Sequence, residues 1–232
     1  MSYLGSKAAS GVYQKIIAEM PPHDTYIETH LGGGAIMLRK PPARFNIGID
    51  KDEEALTNFM ECAEYKPLPN LELINSDAVD ILESFIHRPP EVSNRVLLYV
   101  DPPYLLETRT GNARYRCDYQ IADHVRLLAC LKSLPPEINI ILSGYPSQLY
   151  DDLLSSWRSK EFQAMTRGGV RTEKIWMNFP KGAAYSHTFA GKDYNDRYRI
   201  KRKAQRWKEK FAALPSAERL AIMVALGEVD TD

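Results

Sequence analysis

Cysteine and long apolar runs are both scarce in this sequence of 232 residues. The three cysteines, at positions 62, 117 and 130, are far apart and odd in number, which fits neither a disulfide framework nor a zinc site. No stretch reaches the roughly 18 consecutive apolar residues of a membrane-spanning helix, and the first ten residues lack the basic and apolar regions of a secretory signal. We therefore expect a cytoplasmic protein with reduced thiols, no membrane partner and no metal.

An excess of one charge is also missing, because 30 lysine and arginine residues balance 30 aspartate and glutamate residues. A net charge of zero would argue against a polyanionic partner, but the charge is unevenly distributed. Residues 192–210 hold nine basic and three acidic side chains, a net +6, whereas residues 1–191 and 211–232 each carry a net −3. Apolar residues such as Phe211 and Leu220 predict one or two helices in this tail. Its basic segment is either a solvated helix face or a stripe that contacts phosphates.

Apolar runs typical of strands alternate along the chain with longer segments of helical periodicity. The predicted strands are residues 25–28, 44–49, 71–74, 95–100, 138–142 and 172–177, and the predicted helices are residues 53–63, 78–85 and 122–134. This alternation indicates an open α/β sheet, in which ligands bind beyond the carboxyl ends of the strands. Polar residues cluster at those predicted ends: Glu28, Asp50, Asp77, Asp101 and Ser143. His124 lies on the apolar stripe of its helix and is predicted to be a packed histidine.

The glycine run at residues 32–34 lacks the last glycine of a dinucleotide fingerprint, because Met37 stands three positions after Gly34 where that glycine is required. The Gly-Lys-Ser/Thr sequence of a phosphate-binding loop is also lacking. Glycines between a strand and a helix still allow positive φ and a close approach of the backbone to a ligand. Asp50, 18 residues after Gly32, can accept hydrogen bonds from both hydroxyls of a ribose. The segment predicts either a site for an adenosine-type cofactor or an ordinary turn.

The most informative segment is Asp101-Pro102-Pro103-Tyr104, directly after the apolar run at residues 95–100. Two prolines fix φ and remove two backbone donors, so that their carbonyl groups remain as acceptors. Together with the Asp101 carboxylate they suit the two hydrogens of an exocyclic amine, and Tyr104 offers an aromatic face for a base. The alternative is a simple turn.

These segments together resemble the Dam-like DNA adenine-N6 methyltransferases, whose catalytic motif is Asp-Pro-Pro-Tyr. The resemblance covers residues 2–180 and includes the motifs Tyr3-Leu4-Gly5-Ser6-Lys7, Ile27 through Gly34, Asn75-Ser76-Asp77, Ile141 through Tyr145 and Thr172 through Asn178. Thr29-His30 replaces the family's Pro-Phe, and only 23 residues separate Asp77 from Asp101, where the family carries its target-recognition domain.

The resemblance implies a Rossmann-like seven-stranded methyltransferase sheet that is mostly parallel with one antiparallel strand. Helices would cover both faces, and a small helical C-terminal extension would follow. Residues 1–191 would form the catalytic domain with small DNA-recognition insertions, and residues 192–232 the basic extension. S-adenosylmethionine would be the cofactor, held by residues of the matching motifs: Tyr3, Lys7, Glu28, Gly32, Gly34, Asp50, Asp77 and Asp101. Lys7 would pair with the cofactor's carboxylate.

The implied reaction is methylation of N6 of an adenine extruded from double-stranded DNA. Asp101 and the Pro102 carbonyl would accept the amine hydrogens beside Pro103, Tyr104 would stack on the base, and the methyl group would be transferred directly. Basic and aromatic residues would grip the DNA: Arg109, Arg114, Tyr115 and Arg116 after the motif, and Lys201, Arg202 and Lys203 in the tail. We expect a monomer or weak dimer.

Three other functions compete with this one. The Asp-Pro-Pro-Tyr motif suits an exocyclic amine but does not determine which base carries it. Cytosine N4 or a base in RNA is therefore an alternative methyl acceptor. A DNA-binding module without catalysis is a second alternative, which the complete motif disfavours. A nicotinamide dehydrogenase is disfavoured because Met37 replaces the last glycine of the dinucleotide fingerprint.

Overall fold

A computed structural model describes residues 7, 11–63, 68–87, 95–109, 116–166, 169–182, 191 and 193–227. The strands are β1 (Thr25–Thr29), β2 (Phe45–Asp50), β3 (Leu71–Asn75), β4 (Val96–Val100), β5 (Ile138–Gly144), β6 (Arg158–Thr166) and β7 (Gly169–Met177). The helices are α1 (Val12–Ile17), α2 (Ala35–Arg39), α3 (Glu53–Ala63), α4 (Ala78–His87), α5 (Ile121–Ser133), α6 (Gln148–Leu153), α7 (Tyr194–Ala212) and α8 (Ser216–Gly227). A 3₁₀ turn covers Leu106–Thr108.

The seven strands form one sheet in the order β3-β2-β1-β4-β5-β7-β6. Strands β1 to β5 pair in parallel, whereas β7 runs antiparallel to both of its neighbours. Parallel strands covered on both faces read as continuous apolar runs, and all five residues of β4 are buried. This sheet confirms the predicted seven-stranded Rossmann-like methyltransferase fold with one antiparallel strand.

Two cores lie on opposite faces of the sheet because successive side chains of a strand point to opposite sides. Leu97 and Tyr99 of β4 belong to the core beneath α1, α2 and α3, and Leu98 and Val100 belong to the core beneath α4, α5 and α6. The predicted packed histidine, His124, lies in the second layer and is fully buried. Helices therefore cover both faces, as predicted.

The hairpin of β6 and β7 was predicted only in part, because the expected strand at residues 172–177 begins at Gly169. Gly169 has a φ of 104°, which suits a glycine at the start of the strand that returns from β6. Strand β6 carries Arg158, Lys160 and Glu161 at the edge of the sheet, where charged side chains discourage pairing with another chain. Because of these charged residues, β6 lacks the apolar pattern from which the other strands are predicted.

Helices α7 and α8 form the C-terminal extension, where the sequence predicts one or two helices. No residue of α7 is buried, and α8 exposes large apolar side chains: Leu220, Met223, Val224 and Leu226. None of the described helices is long and apolar enough to cross a membrane. The division into a catalytic domain at residues 1–191 and an extension at residues 192–232 stays a prediction.

Candidate functional site

A cleft open to solvent lies at the carboxyl edge of the parallel strands. Because β1 pairs with β2 and β4 in register, the ends of these strands meet at one edge of the sheet. Most predicted cofactor and catalytic residues line the cleft: Lys7, Glu28, Gly32, Gly34, Asp50, Asp77, Asp101, Pro102 and Pro103. Tyr3 lies outside the described residues.

The glycine run forms the wall of this cleft between β1 and α2. Its conformation is left-handed at Gly32 (φ 51°) and Gly34 (φ 55°), where an L side chain is strained. A Cβ atom on Gly34 would also overlap the Cε2 and Cδ2 atoms of the Phe59 ring. Both the backbone conformation and the packing therefore require glycine at position 34.

Asp50, at the end of β2, holds the glycine run in place. Its Oδ2 accepts from the Gly32 amide at 2.7 Å, and its Oδ1 accepts from the Asp52 amide at 2.8 Å. Burial raises the pKa of Asp50 despite these two hydrogen bonds, which lower it. A carboxylate has about four acceptor sites, so two bonds leave capacity for a ribose. Asp50 thus shapes the loop as well as offering acceptors.

Asp77 and Glu28 differ in their electrostatic surroundings. Burial would raise the pKa of Asp77, but the Val79 amide and Lys51, 3.3 Å away, lower it overall. Glu28 is fully enclosed, and burial raises its pKa to about 8 although its Oε2 accepts from Tyr26 and the Met37 amide, each at 2.9 Å. Asp77 is therefore an ionised acceptor, and Glu28 anchors the start of α2.

Asp101, directly after β4, belongs to a compact charged cluster. The Lys7 ammonium lies 2.7 Å from both oxygens of Asp101 and 3.9 Å from Oε2 of Glu173. The Tyr104 hydroxyl donates to the same Glu173 oxygen at 2.9 Å. Burial raises the pKa of Glu173, whereas Lys7 lowers it. Lys7 thus pairs with Asp101 in this structure, and its expected pairing with a cofactor carboxylate stays a prediction.

The expected stacking of a base on Tyr104 stays a prediction, and the ring is covered by its neighbours in this structure. Its ring is 7% exposed, lies edge-to-face against Tyr145 with centroids 4.5 Å apart, and has the Lys7 ammonium 4.8 Å from its centroid. A base can contact this ring only if the Lys7 ammonium is displaced from it. The Tyr104 ring is held in this position by the hydrogen bond from its hydroxyl to Glu173.

Sequence reasoning missed a line of aromatic side chains beside the glycine run. His30, with a φ of 57°, places its Nε2 2.8 Å from the Tyr119 hydroxyl, and Nδ1 of His124 lies 2.8 Å from the Tyr150 hydroxyl. Burial lowers the pKa of both histidines to about 4. His30 and Tyr119 line the cleft as neutral groups, a role that their spacing in the sequence does not reveal.

The predicted DNA contacts fall into three groups. Arg109 donates to the Tyr104 carbonyl at 2.6 Å and to both oxygens of Asp118, and its side chain is 10% exposed. That geometry does not agree with the predicted DNA contact of Arg109, because its guanidinium braces the segment after the catalytic motif. Arg114 and Tyr115 lie outside the described residues. Arg116 pairs with Glu54 and Asp52 at the surface, and Lys201, Arg202 and Lys203 are exposed on α7.

Within the described residues, no group of three or more His, Cys, Asp or Glu side chains is arranged to hold a metal ion.

A scan of protein-family models and a search of curated proteins give no match. The comparison with solved structures does give matches. SMU.776, which is named as a methyltransferase and was crystallised with SAH, matches with a TM-score of 0.50 and 12% identity. The match covers 72% of this chain and 47% of that one, so this chain spans about half its length.

Two further structures are similar at lower scores. TrmK of M. capricolum, in complex with the cofactor product S-adenosyl-homocysteine, has a TM-score of 0.48 and 12% identity over 92% of this chain and 93% of its own. A SAM-dependent methyltransferase from Agrobacterium tumefaciens has a TM-score of 0.47 and 15% identity over 71% of this chain and 58% of its own. The match to SMU.776, at a TM-score of 0.50, shows that this chain shares the fold of a methyltransferase, and at 12% identity it shows the fold alone.

Proposed function

We propose that this protein is a Dam-like methyltransferase that transfers a methyl group from S-adenosylmethionine to N6 of an adenine extruded from double-stranded DNA. The observation that carries the proposal is the position of Asp101-Pro102-Pro103-Tyr104. This tetrapeptide follows the central strand β4, and its first three residues line the same cleft as the glycine run. Acceptors for an amine therefore lie beside a pocket with the residues that an adenosine-type cofactor needs.

The cleft fits S-adenosylmethionine by the chemistry of its lining. Gly32 and Gly34 leave the backbone open to close approach, Asp50 retains free acceptor capacity for ribose hydroxyls, and Asp77 is an ionised acceptor that suits an adenine amine. When bound, the cofactor would supply a methyl carbon that leaves sulfur, which keeps the bond electrons, as the amine nitrogen forms the new bond.

The residues of the chain position and activate the amine. The Asp101 carboxylate and the Pro102 carbonyl accept its two hydrogens, which draws the nitrogen lone pair out of conjugation with the ring. Asp101 takes the proton that the methylated nitrogen releases. Preorganised acceptors and a fixed approach supply most of the acceleration in such a direct transfer. A base inside the duplex cannot reach this site, so the adenine must be extruded.

Helix α7 supports the proposal of a DNA partner. Residues 194–212 carry eight basic and two acidic side chains, a net +6, on a helix without buried residues. Exposed aromatic side chains lie among them, and the Arg202 guanidinium lies 5.8 Å from the Tyr198 ring centroid. Basic and aromatic groups together suit a nucleic-acid backbone and its bases. We assign Lys201, Arg202, Lys203 and Arg116 to phosphate contacts.

The proposal is tested by transfer of a tritiated methyl group from S-adenosylmethionine to PCR-amplified bacterial DNA, which is unmethylated and contains every short sequence. We expect incorporation by the natural protein and a loss of about 100-fold or more in Asp101→Asn, since one acceptor of the amine becomes neutral. Asp24→Asn is the matched control, because Asp24 pairs with Arg95 at the surface, next to the amino-terminal end of β1. Full activity in Asp101→Asn would overturn the assignment of Asp101.

A further inference from the structure

The Lys7 ammonium occupies the place where the substrate amine is proposed to bind. It contacts both oxygens of Asp101 at 2.7 Å, the same oxygens that accept an amine hydrogen. It also lies over the Tyr104 ring, 4.8 Å from the centroid, on an aromatic surface that a base would use. A substrate base and the Lys7 ammonium therefore exclude each other at this site.

Displacement of Lys7 by an amine is unfavourable unless the ammonium finds another anion. Charge-assisted hydrogen bonds are about twice as strong as neutral ones, so a neutral amine is a weaker partner for Asp101 than Lys7 is. The Lys7 side chain is 5% exposed, and a buried charge that loses its partner is strongly destabilising. A second carboxylate close to Lys7 removes that cost.

Glu173 is placed to be this second carboxylate. Its Oε2 lies 3.9 Å from the Lys7 ammonium, about 1 Å beyond an ordinary charged hydrogen bond. The carboxylate is buried on β7 and its orientation is fixed by the Tyr104 hydroxyl at 2.9 Å. The long, flexible stem of lysine allows the ammonium to shift between the two carboxylates.

We propose that Lys7 closes the amine site by pairing with Asp101, and that Glu173 is the positioning residue that receives the Lys7 ammonium when the base enters. This inference rests on the proposed function, since it takes Asp101 as the acceptor of the substrate amine. Glu173 itself makes no contact with the substrate. Its effect on the reaction passes entirely through Lys7.

A double-mutant cycle on PCR-amplified bacterial DNA tests the proposal. Glu173→Gln keeps an acceptor for Tyr104 but offers Lys7 no negative charge, so kcat should fall about ten- to a hundredfold. Binding of S-adenosylmethionine, measured by calorimetry, should not change. Lys7→Met removes the ammonium that the proposal places between the two carboxylates, and it supplies the second arm of the cycle. In the Lys7→Met background, Glu173→Gln should cause no further loss.

The control is Glu19→Gln, which neutralises a carboxylate of similar burial that pairs with Arg158 and Lys160 on β6. Its kcat should match that of the natural protein. Equal losses from Glu173→Gln with and without Lys7 would overturn the proposal, because Glu173 would then act on another group. A fully active Glu173→Gln would overturn it as well. If the natural protein transfers no methyl group to this DNA, the proposed function fails, and the role of Glu173 fails with it.

Discussion

Replacement of Gly34 by alanine tests how tightly the glycine run packs against the rest of the cleft. The residue has a φ of 55°, and its added Cβ would overlap the Phe59 ring, which is 1% exposed in the core. The left-handed conformation costs a non-glycine residue about 1–2 kcal/mol. Overpacking in a filled core adds about 1–3 kcal/mol. We expect Gly34→Ala to lower the free energy of unfolding by about 2–5 kcal/mol in total.

Urea unfolding followed by circular dichroism measures this loss. Gly169→Ala is the matched control, because Gly169 also has a positive φ (104°) but a Cβ there meets no atom within 4 Å. It should show the conformational cost alone, about 1–2 kcal/mol. Phe59→Leu should recover part of the loss in the Gly34→Ala background, since the overlapping ring atoms are removed. Equal losses in Gly34→Ala and Gly169→Ala would refute the packing argument.

Two further predictions concern charge. Glu28 holds its proton in the folded chain up to its pKa of about 8, whereas the unfolded chain releases it near 4.5, so natural stability falls as pH rises between these values. Glu28→Gln should therefore gain stability over the natural protein by up to about 4 kcal/mol from pH 5 to pH 8.5 in urea unfolding; an equal difference at both pH values would contradict this. Exchange of Lys201, Arg202 and Lys203 for glutamine should reduce the salt slope of DNA binding by about 2–3, at about 0.9 per phosphate contact. Arg219→Gln on α8 is its control, and an unchanged slope in the triple variant would identify α7 as a solvated helix face.

The sequence predicted the sheet well because its central strands are short apolar runs that end at polar residues. The apolar run before Asp101 forms β4. Asp50 at the end of β2 and Asp77 just after β3 both line the cleft. These positions follow from local pattern and from the rule that ligands bind at the carboxyl ends of parallel strands. That the chain folds as a methyltransferase sheet was expected from the motifs.

The charged cluster could not be predicted in the same way. Lys7 and Asp101 are 94 residues apart, and Tyr104 and Glu173 are 69 residues apart, so only the completed fold brings them together. Glu173 is the fifth of the nine residues of the antiparallel strand β7, and the pairing of the next residue, Lys174, with Gly144 places it at the carboxyl edge of β5. The rule for parallel strands does not predict that an acid within an antiparallel strand reaches this edge.

The inward direction of Arg109 was equally hidden. The sequence shows a basic residue in a polar segment after the catalytic motif, which is typical of a loop that contacts phosphates. Asp118, nine residues later, instead accepts hydrogen bonds from both terminal nitrogens of the Arg109 guanidinium. Bidentate pairing of this kind depends on how the chain turns back, which charge pattern alone does not determine.

The most direct test of the central claim is to identify the methylated nucleoside by mass spectrometry. PCR-amplified bacterial DNA and, separately, transcribed RNA are incubated with the protein and S-adenosylmethionine that carries a deuterated methyl group, and are then digested to nucleosides. We expect deuterated N6-methyladenine in the DNA, and its loss in Asp101→Asn. Deuterated N4-methylcytosine, label in the RNA alone, or no labelled nucleoside in the DNA would contradict it.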